Sequence, residues 1–206
     1  MKRLLIATRN PTKFERLKKL LCSYKLQVLS LNDVGISQGV DESGKTFEEN
    51  AVLKARFYAK LSNLPVLGDD SGLEIDALDG WPGVYSRRIF GPSKPDATDD
   101  EVVSETLKRM TKVPFEKRTC HFTAVMALLI PPDKLHVTHS STDGYIITEP
   151  KGIRKPGFPM ESIFYLPDLD KTAAELDQEG NLENYLTHRK NAIIKLEPYL
   201  KELEKI

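Results

Sequence analysis

Leu4-Leu5-Ile6-Ala7-Thr8-Arg9-Asn10-Pro11-Thr12-Lys13 runs from a short apolar block into a turn and then a proline. Residues 4–8 read as a buried strand, because the block is too short for a helix and is closed by Arg9-Asn10-Pro11 as a turn. Pro11 suits the first turn of a helix, where its missing N–H is not needed. Phe14, Leu17, Leu21 and Tyr24 then recur at three- and four-residue spacing with lysines opposite, which predicts an amphipathic helix over residues 11–24. A strand that feeds straight into a helix opens an α/β fold, and its turn leaves helix N-terminal amides where an anion can sit.

The rest of the chain continues the alternation. Thr46 with Glu49 three residues later is a capping box, and Phe47, Ala51, Ala55 and Tyr58 give an apolar face to a helix reaching Leu61. Residues 65–67 and 73–78 read as strands flanking the turn Gly68-Asp69-Asp70-Ser71-Gly72. Thr98 and Glu101 form a second capping box before a helix with Val102, Val103, Thr106, Leu107 and Met110 inward. Residues 118–130 are β-rich, and residues 135–148 supply one or two further strands. A last helix starts near Thr187, carries Ile193, Leu196, Leu200 and Leu203, and bends or breaks at Pro198. Residues 91–95 and Pro131-Pro132 read as loops. Interleaved strands and helices predict an α/β class with a mixed β-sheet.

At 206 residues the chain suits one large domain, or one domain with a second lobe. Thirty basic against thirty acidic residues give zero formal charge, which argues against a nucleic-acid surface as the main business but leaves room for a local basic pocket. Two cysteines, Cys22 and Cys120, without a CxxC pattern argue against a disulfide framework or a cysteine zinc site and favour a reducing compartment. The apolar block after Met1 is too short for a signal core or a membrane span, so a cytoplasmic protein is expected.

Four groups of residues could carry chemistry. Asp69 and Asp70 form an acid pair of the kind that holds a divalent metal and activates water, with flanking glycines that admit a bulky ligand; the same residue types also make ordinary turns. Thr8, Asn10 and Lys13 offer donors and positive charge to a phosphate, or a capped turn with a solvated lysine; the glycines of a P-loop are missing. Glu42 could reach a metal, and Lys54 leaves its helix one turn after Asn50 on the same face; the competing reading is a capping box with a charged outer face. His188-Arg189, at the start of the last helix, could stack on a base or bind a phosphate, or could be a helix cap. The lone Trp81 reads as core packing, and His121, His136 and His139 as structural or surface groups.

In this order the segments Thr8-x-Asn10-x-x-Lys13, Glu42-Ser-Gly-Lys-Thr-Phe-Glu-Glu-Asn50, Asp69-Asp70-Ser71-Gly72-Leu73, Pro82-Gly83-Val84-Tyr85-Ser86-x-Arg88, Lys171-Thr172-Ala173-Ala174-Glu175-Leu176 and His188-Arg189 resemble the inosine triphosphate pyrophosphatase family, from residue 4 to about residue 196. The resemblance implies a single domain over residues 1–206, with an elongated mixed sheet flanked by helices and two lobes around a central cleft. It implies a homodimer and Mg²⁺-dependent hydrolysis of non-standard purine nucleoside triphosphates (ITP, XTP, dITP) to the monophosphate and pyrophosphate. By position, Asp70 is then the general base and a metal ligand, with Glu42 and Asp69 as further metal carboxylates. Thr8, Asn10, Lys13, Ser71, Lys54 and Arg88 go with the phosphates, and Phe158, Glu161, Glu183, His188 and Arg189 with the base pocket.

The sequence departs from that family at the base pocket. Where members carry Gly-Phe-Gly-aromatic-Asp-Pro, this chain has Gly157-Phe158-Pro159-Met160-Glu161-Ser162. Where they carry a lysine five residues before the histidine, it has Glu183, and no lysine occurs over residues 177–187. Exchanging a donor for an acceptor at a buried base edge weighs heavily against a 6-oxo purine. Three readings follow: binding of the same nucleotides through Arg154, Lys155 or Arg189, a changed base preference, or a non-catalytic nucleotide sensor. A pyrimidine-nucleotide pyrophosphatase on a related scaffold is a further alternative.

Overall fold

The computed structural model describes the whole chain except Arg87, Pro92, Ser93, Pro95, Asp96 and Ile206. Arg87 within the Pro82–Arg88 motif and most of the expected loop at 91–95 therefore lie outside the described residues. The elements run β1 (Lys2–Ala7), α1 (Pro11–Leu20), β2 (Leu26–Leu29), α2 (Phe47–Ser62), β3 (Val66–Ile75), β4 (Trp81–Pro82), α3 (Asp99–Arg109), β5 (Thr119–Ile130) and β6 (Lys134–Ile146). They continue with β7 (Phe164–Leu166), β8 (Lys171–Thr172), α4 (Ala173–Gln178), α5 (Leu182–Tyr185), α6 (His188–Lys195) and α7 (Glu197–Lys205).

The strands hydrogen-bond in the order β2-β1-β3-β5-β6-β7-β8, with β4 on β3. β1 is parallel to both β2 and β3, with Leu4 opposite Val28 and Ile6 opposite Leu67, while β6, β7 and β8 pair antiparallel. The mixed sheet flanked by helices expected from the sequence is present.

The chain divides into two compact units, the first made of Met1–Asp70, Ala124–Ser140 and His188–Ile206, the second of Ser71–Thr123 and Ser141–Thr187. In the first, Leu4, Ile6, Leu67, Met126 and Leu128 pack with Leu17 and Leu21 and with Ile193, Leu196, Leu200 and Leu203, so α1, α6 and α7 cover one sheet face. In the second, Leu73, Ile75, Cys120, Ile146 and Phe164 pack with Val102 and Val103 of α3 and Ala173 and Leu176 of α4. Capping boxes open both helices: Thr98 with Glu101, as expected, and Thr172 with Glu175.

Several local expectations need correction. The segment 68–72 is no turn: β3 runs unbroken from Val66 to Ile75, and Asp69 and Asp70 sit in its middle. Turn-forming residue types stay extended here because their neighbours hold them, as described below. The strand also stops at Ile75, and Asp76–Leu78 is a 3₁₀ turn. Helix α1 ends at Leu20 rather than Tyr24, because the turns in which Cys22 N–H donates to Lys19 and Tyr24 N–H to Leu21 keep Leu21 and Tyr24 on the core without helical geometry. At α2 the capping box is only half formed: Thr46 Oγ1 accepts from Glu49 N–H, but the Glu49 carboxylate accepts from Lys45 N–H at 2.5 Å. Residues 134–146 form one strand, and the C-terminal helix is broken at Leu196, with Pro198 in the first turn of α7 where no N–H is required.

Candidate active site

Gly68 lets α2 approach β3. A Cβ at this position would stand 2.2 Å from the Ala51 carbonyl oxygen and 3.0 Å from Ala55 N, so the glycine serves the helix backbone rather than a ligand. Side chains two residues apart on a strand share a face, so Asp70 also points toward α2. Lys54 Nζ lies 2.8 Å from Asp70 Oδ1 and 3.0 Å from Glu42 Oε2, and one ammonium thus joins two carboxylates from segments distant in sequence. Asn50, one turn earlier on α2, donates Nδ2 to Asp70 Oδ2 at 3.3 Å and accepts from Gly44 N–H at 2.8 Å. The Lys54 and Asp70 side chains are 8% and 11% exposed and Glu42 39%, so the pair opens to solvent on the Glu42 side.

Burial pushes the Asp70 carboxyl above the usual range, as does Glu42 to a smaller extent, while Lys54 and Lys13 pull it down without cancelling the rise. Lys54 stays a firm cation: burial opposes its charge, but Asp70, Glu42 and Asp69 outweigh that and raise its pKa.

Asp69 leaves β3 on the opposite face. Its buried carboxylate pairs with Lys13 Nζ of α1 at 2.6 Å. Lys13 is the charge that compensates this burial, since neither Asp69 oxygen has a hydrogen-bond partner other than that ammonium among the described residues. Burial raises the Asp69 pKa, but Lys13, then Arg189 and Lys54, outweigh it and hold the group below its usual value. Lys13 is lowered by burial despite Asp69, with Arg189 and Lys54 acting in the same direction as burial. It is therefore not the solvated lysine of the capped-turn reading. That reading does describe its neighbours: Asn10 caps α1 by accepting from Lys13 N–H at 3.1 Å, and Thr8 Oγ1 accepts from Asn10 N–H at 3.2 Å. His188 and Arg189 begin α6 and are buried, and burial followed by Arg189, Lys13 and Arg16 pushes His188 well below the normal histidine range.

The structure thus brings Glu42, Lys54 and Asp70 together on the α2 face of β3, and Lys13, Asp69 and Arg189 into one electrostatic group, with Thr8 and Asn10 at the start of α1. It does not bring Asp69 to Glu42. Ser71, Arg88, Phe158, Glu161 and Glu183 belong to the second unit. There Ser71 is in β3, Arg88 is exposed near the Tyr85 ring, Phe158 and Glu161 are buried, and Glu183 is half-buried in α5. In the same unit Lys155 pairs with Asp177 at 2.6 Å, Arg154 pairs with Asp100, and Gly157 N–H donates to Asp99 at 2.9 Å, so both cations of the altered loop already have acidic partners.

Among the described residues no three carboxylate, histidine or cysteine side chains form a ready metal cage. Mg²⁺ does not need one: it is usually held by one or two carboxylates, with water and substrate phosphate oxygens completing the shell. The all-oxygen pair Glu42 and Asp70, already gathered around a cation, fits that requirement; Asp69, committed to Lys13, does not. No helix among the described residues is long and apolar enough to cross a membrane.

The chain is similar to known proteins over nearly its whole length. A family model described as the Ham1 family matches residues 4–199. The chain is 41% identical over 200 residues to the dITP/XTP pyrophosphatase of Bacillus subtilis (strain 168), covering 97% of this chain and 98% of that one. It is 38% identical over 203 residues to the protein of the same name from Thermoanaerobacter pseudethanolicus, covering 98% of each. Among solved structures, a HAM1 protein from Coxiella burnetii superposes with a TM-score of 0.83 at 33% identity, covering 98% of this chain and 100% of that one. The Staphylococcus aureus Ham1 protein superposes with a TM-score of 0.81 at 34% identity, covering 98% and 99%.

Proposed function

The chain belongs to the Ham1 family, and from this premise we propose that it is a Mg²⁺-dependent pyrophosphatase that converts ITP, XTP and dITP to the monophosphate and pyrophosphate. The observation that carries the proposal is the joining of Asp70 and Glu42 by Lys54. A sensor has no need of a partly desolvated carboxylate beside a cation, whereas water activation requires one. Asp70 and Glu42 would hold Mg²⁺, which supplies charge neutralisation to the polyphosphate and acidity to a bound water.

The chain's own groups do the rest. Asp70, raised toward working pH by burial, takes the proton as water attacks the α-phosphorus and the bond to the bridging oxygen breaks. Lys13 and Lys54, with the N–H groups opening α1, supply positive potential where charge builds on the departing pyrophosphate. The family resemblance assigns Thr8, Asn10, Ser71 and Arg88 to the phosphates, and Phe158, Glu161, Glu183, His188 and Arg189 to the base. The chain acts as a single domain over residues 1–206, and the protein works as a cytoplasmic homodimer on a small-molecule nucleotide.

One observation favours a second reading, a changed base preference. Arg154 and Lys155 are held by Asp100 and Asp177, which leaves Arg189 as the remaining candidate to replace the lysine missing at Glu183. A panel of ITP, XTP, dITP and the standard triphosphates with Mg²⁺, scored for monophosphate and pyrophosphate, decides between them. Release from ITP, XTP or dITP supports the first reading, and release from a standard nucleotide in preference supports the second. In the preferred nucleotide, Asp70→Asn should lose about 10²–10⁴ in turnover with binding retained. Near-normal turnover in that variant, or tight binding without release in the wild type, refutes the proposal.

A further inference from the structure

Helix α2 carries three buried polar side chains at spacings of four, Asn50, Lys54 and Tyr58, and all three hold the same stretch of chain. Tyr58 Oη donates to the Gln38 carbonyl at 3.1 Å, Lys54 to Glu42 at 3.0 Å, and Asn50 Oδ1 accepts from Gly44 N–H at 2.8 Å. The segment that presents Glu42 has no helix or strand of its own between residues 36 and 46, so these contacts fix it. Gly44 permits the approach: a Cβ there would lie 2.6 Å from Asn50 Oδ1 and 2.9 Å from Asn50 N.

Asn50 differs from the other two because it also holds Asp70. It is completely buried, and its amide is oriented without ambiguity. An acceptor meets the Gly44 N–H and a donor meets the Asp70 carboxylate, whereas the flipped amide would lose both bonds. We propose that Asn50 is a positioning residue for the pyrophosphatase reaction: one amide ties the Glu42 segment, two residues away at Gly44, to the carboxylate of Asp70, and so sets the gap between the two acids. This rests on the function proposed above, in which Asp70 and Glu42 act together. A buried, doubly bonded amide suits the task because it adds no charge next to Asp70 and has little freedom to rotate.

Two substitutions separate the halves of the bridge. Asn50→Ala removes both bonds. Asn50→Asp keeps an acceptor for Gly44 N–H but offers Asp70 either a repelling carboxylate or a shared proton that occupies it. Amide hydrogen exchange over residues 38–46 reads the segment, and kcat and KM on the preferred nucleotide, normalised to folded protein, read the chemistry. In Asn50→Ala, exchange at Gly44 should quicken at least tenfold, and kcat should fall about 10–100-fold with KM within threefold, as expected for displacement of a reacting group by up to an ångström. In Asn50→Asp, Gly44 should stay protected while kcat falls as far.

A merely structural role predicts the opposite: lower melting temperature, with kcat per folded molecule unchanged. Wild-type kcat in either variant, or unchanged Gly44 protection in Asn50→Ala, overturns the proposal. If the alanine protein does not fold, the aspartate variant decides alone by the same two readings. If the wild-type protein hydrolyses no nucleotide, the proposed function fails by itself, and Gly44 exchange still decides whether Asn50 clamps the segment.

Discussion

Gly68→Ala tests the packing on which the candidate site depends. The added methyl carbon would sit 2.2 Å from the Ala51 carbonyl oxygen, 3.0 Å from Ala55 N and 3.1 Å from Ala55 Cβ, all but the last being backbone atoms of α2. Backbone cannot rotate away as a long side chain can, so α2 must retreat from β3 by the better part of an ångström. Overpacking of this kind typically costs about 1–3 kcal/mol. At roughly 2–4 °C per kcal/mol for a chain of this size, the melting temperature should fall by about 2–12 °C.

The same retreat carries Asn50 and Lys54 away from Asp70, and a shift near 1 Å in a reacting constellation can lower turnover by about 10²-fold. Gly80→Ala is the control: its φ of 79° makes alanine strained there, but a Cβ would meet nothing within 4 Å, so stability should drop without loss of turnover per folded molecule. Differential scanning fluorimetry and pyrophosphate release measure the two effects. A Gly68→Ala protein with a melting temperature within about 1 °C of wild type and full turnover would refute the close contact of α2 with β3.

Two further outcomes concern charge. Lys54 is the strongest of the groups that lower the Asp70 pKa against the effect of burial, so Lys54→Met should move that carboxyl further up. The acid limb of kcat/KM, read from free enzyme, should then shift to higher pH as well as lie lower throughout; a limb that stays in place or moves to lower pH refutes the coupling. Burial holds the His188 pKa far below its unfolded value of about 6.5, so the native protein refuses a proton that the unfolded chain accepts. Its contribution is fully present above that pH and should be lost on acidification by up to about 1.4 kcal/mol per unit until the folded pKa is reached. Urea midpoints at pH 7.5 and 5.5 should show a smaller drop for His188→Gln than for wild type, and equal drops would refute it.

Local pattern made most of the fold legible. The apolar block 4–8 and the capping signals at Thr46 and Thr98 give elements whose partners lie within a few residues, and those elements formed close to where periodicity put them. Errors came where a distant part of the chain decides. Nothing near Cys22 and Tyr24 shows that a pair of turns can keep the same residues on the core that a helix would. Nothing near Gly68 shows that a helix backbone some 15 residues earlier fills the space its missing side chain leaves. Asn50 was visible as the residue one turn before Lys54, but a role for it needs Gly44 and Asp70 in space, and the spacing of Asn50, Lys54 and Tyr58 is the signal that could have suggested it.

The largest misreading, a turn in place of a strand at Asp69-Asp70, also bears on chemistry. On a turn, adjacent carboxylates can share one metal; on a strand they leave opposite faces, and each takes its own lysine. The two acids then meet different environments from adjacent positions. Asp69 is walled in with Lys13 and held below the usual carboxylate range, which makes it a poor base and a fixed anion for the cations around it. Asp70 is raised by burial and shares its lysine with the more exposed Glu42. Asp69→Asn should act mainly through Lys13, removing the anion that holds its ammonium in place and charged against burial, and so raising KM for the polyphosphate more than it lowers kcat. Asp70→Asn should act on kcat. Steady-state kinetics of the two variants on one nucleotide would show the split, and equal losses of kcat with unchanged KM would restore a shared role at one metal.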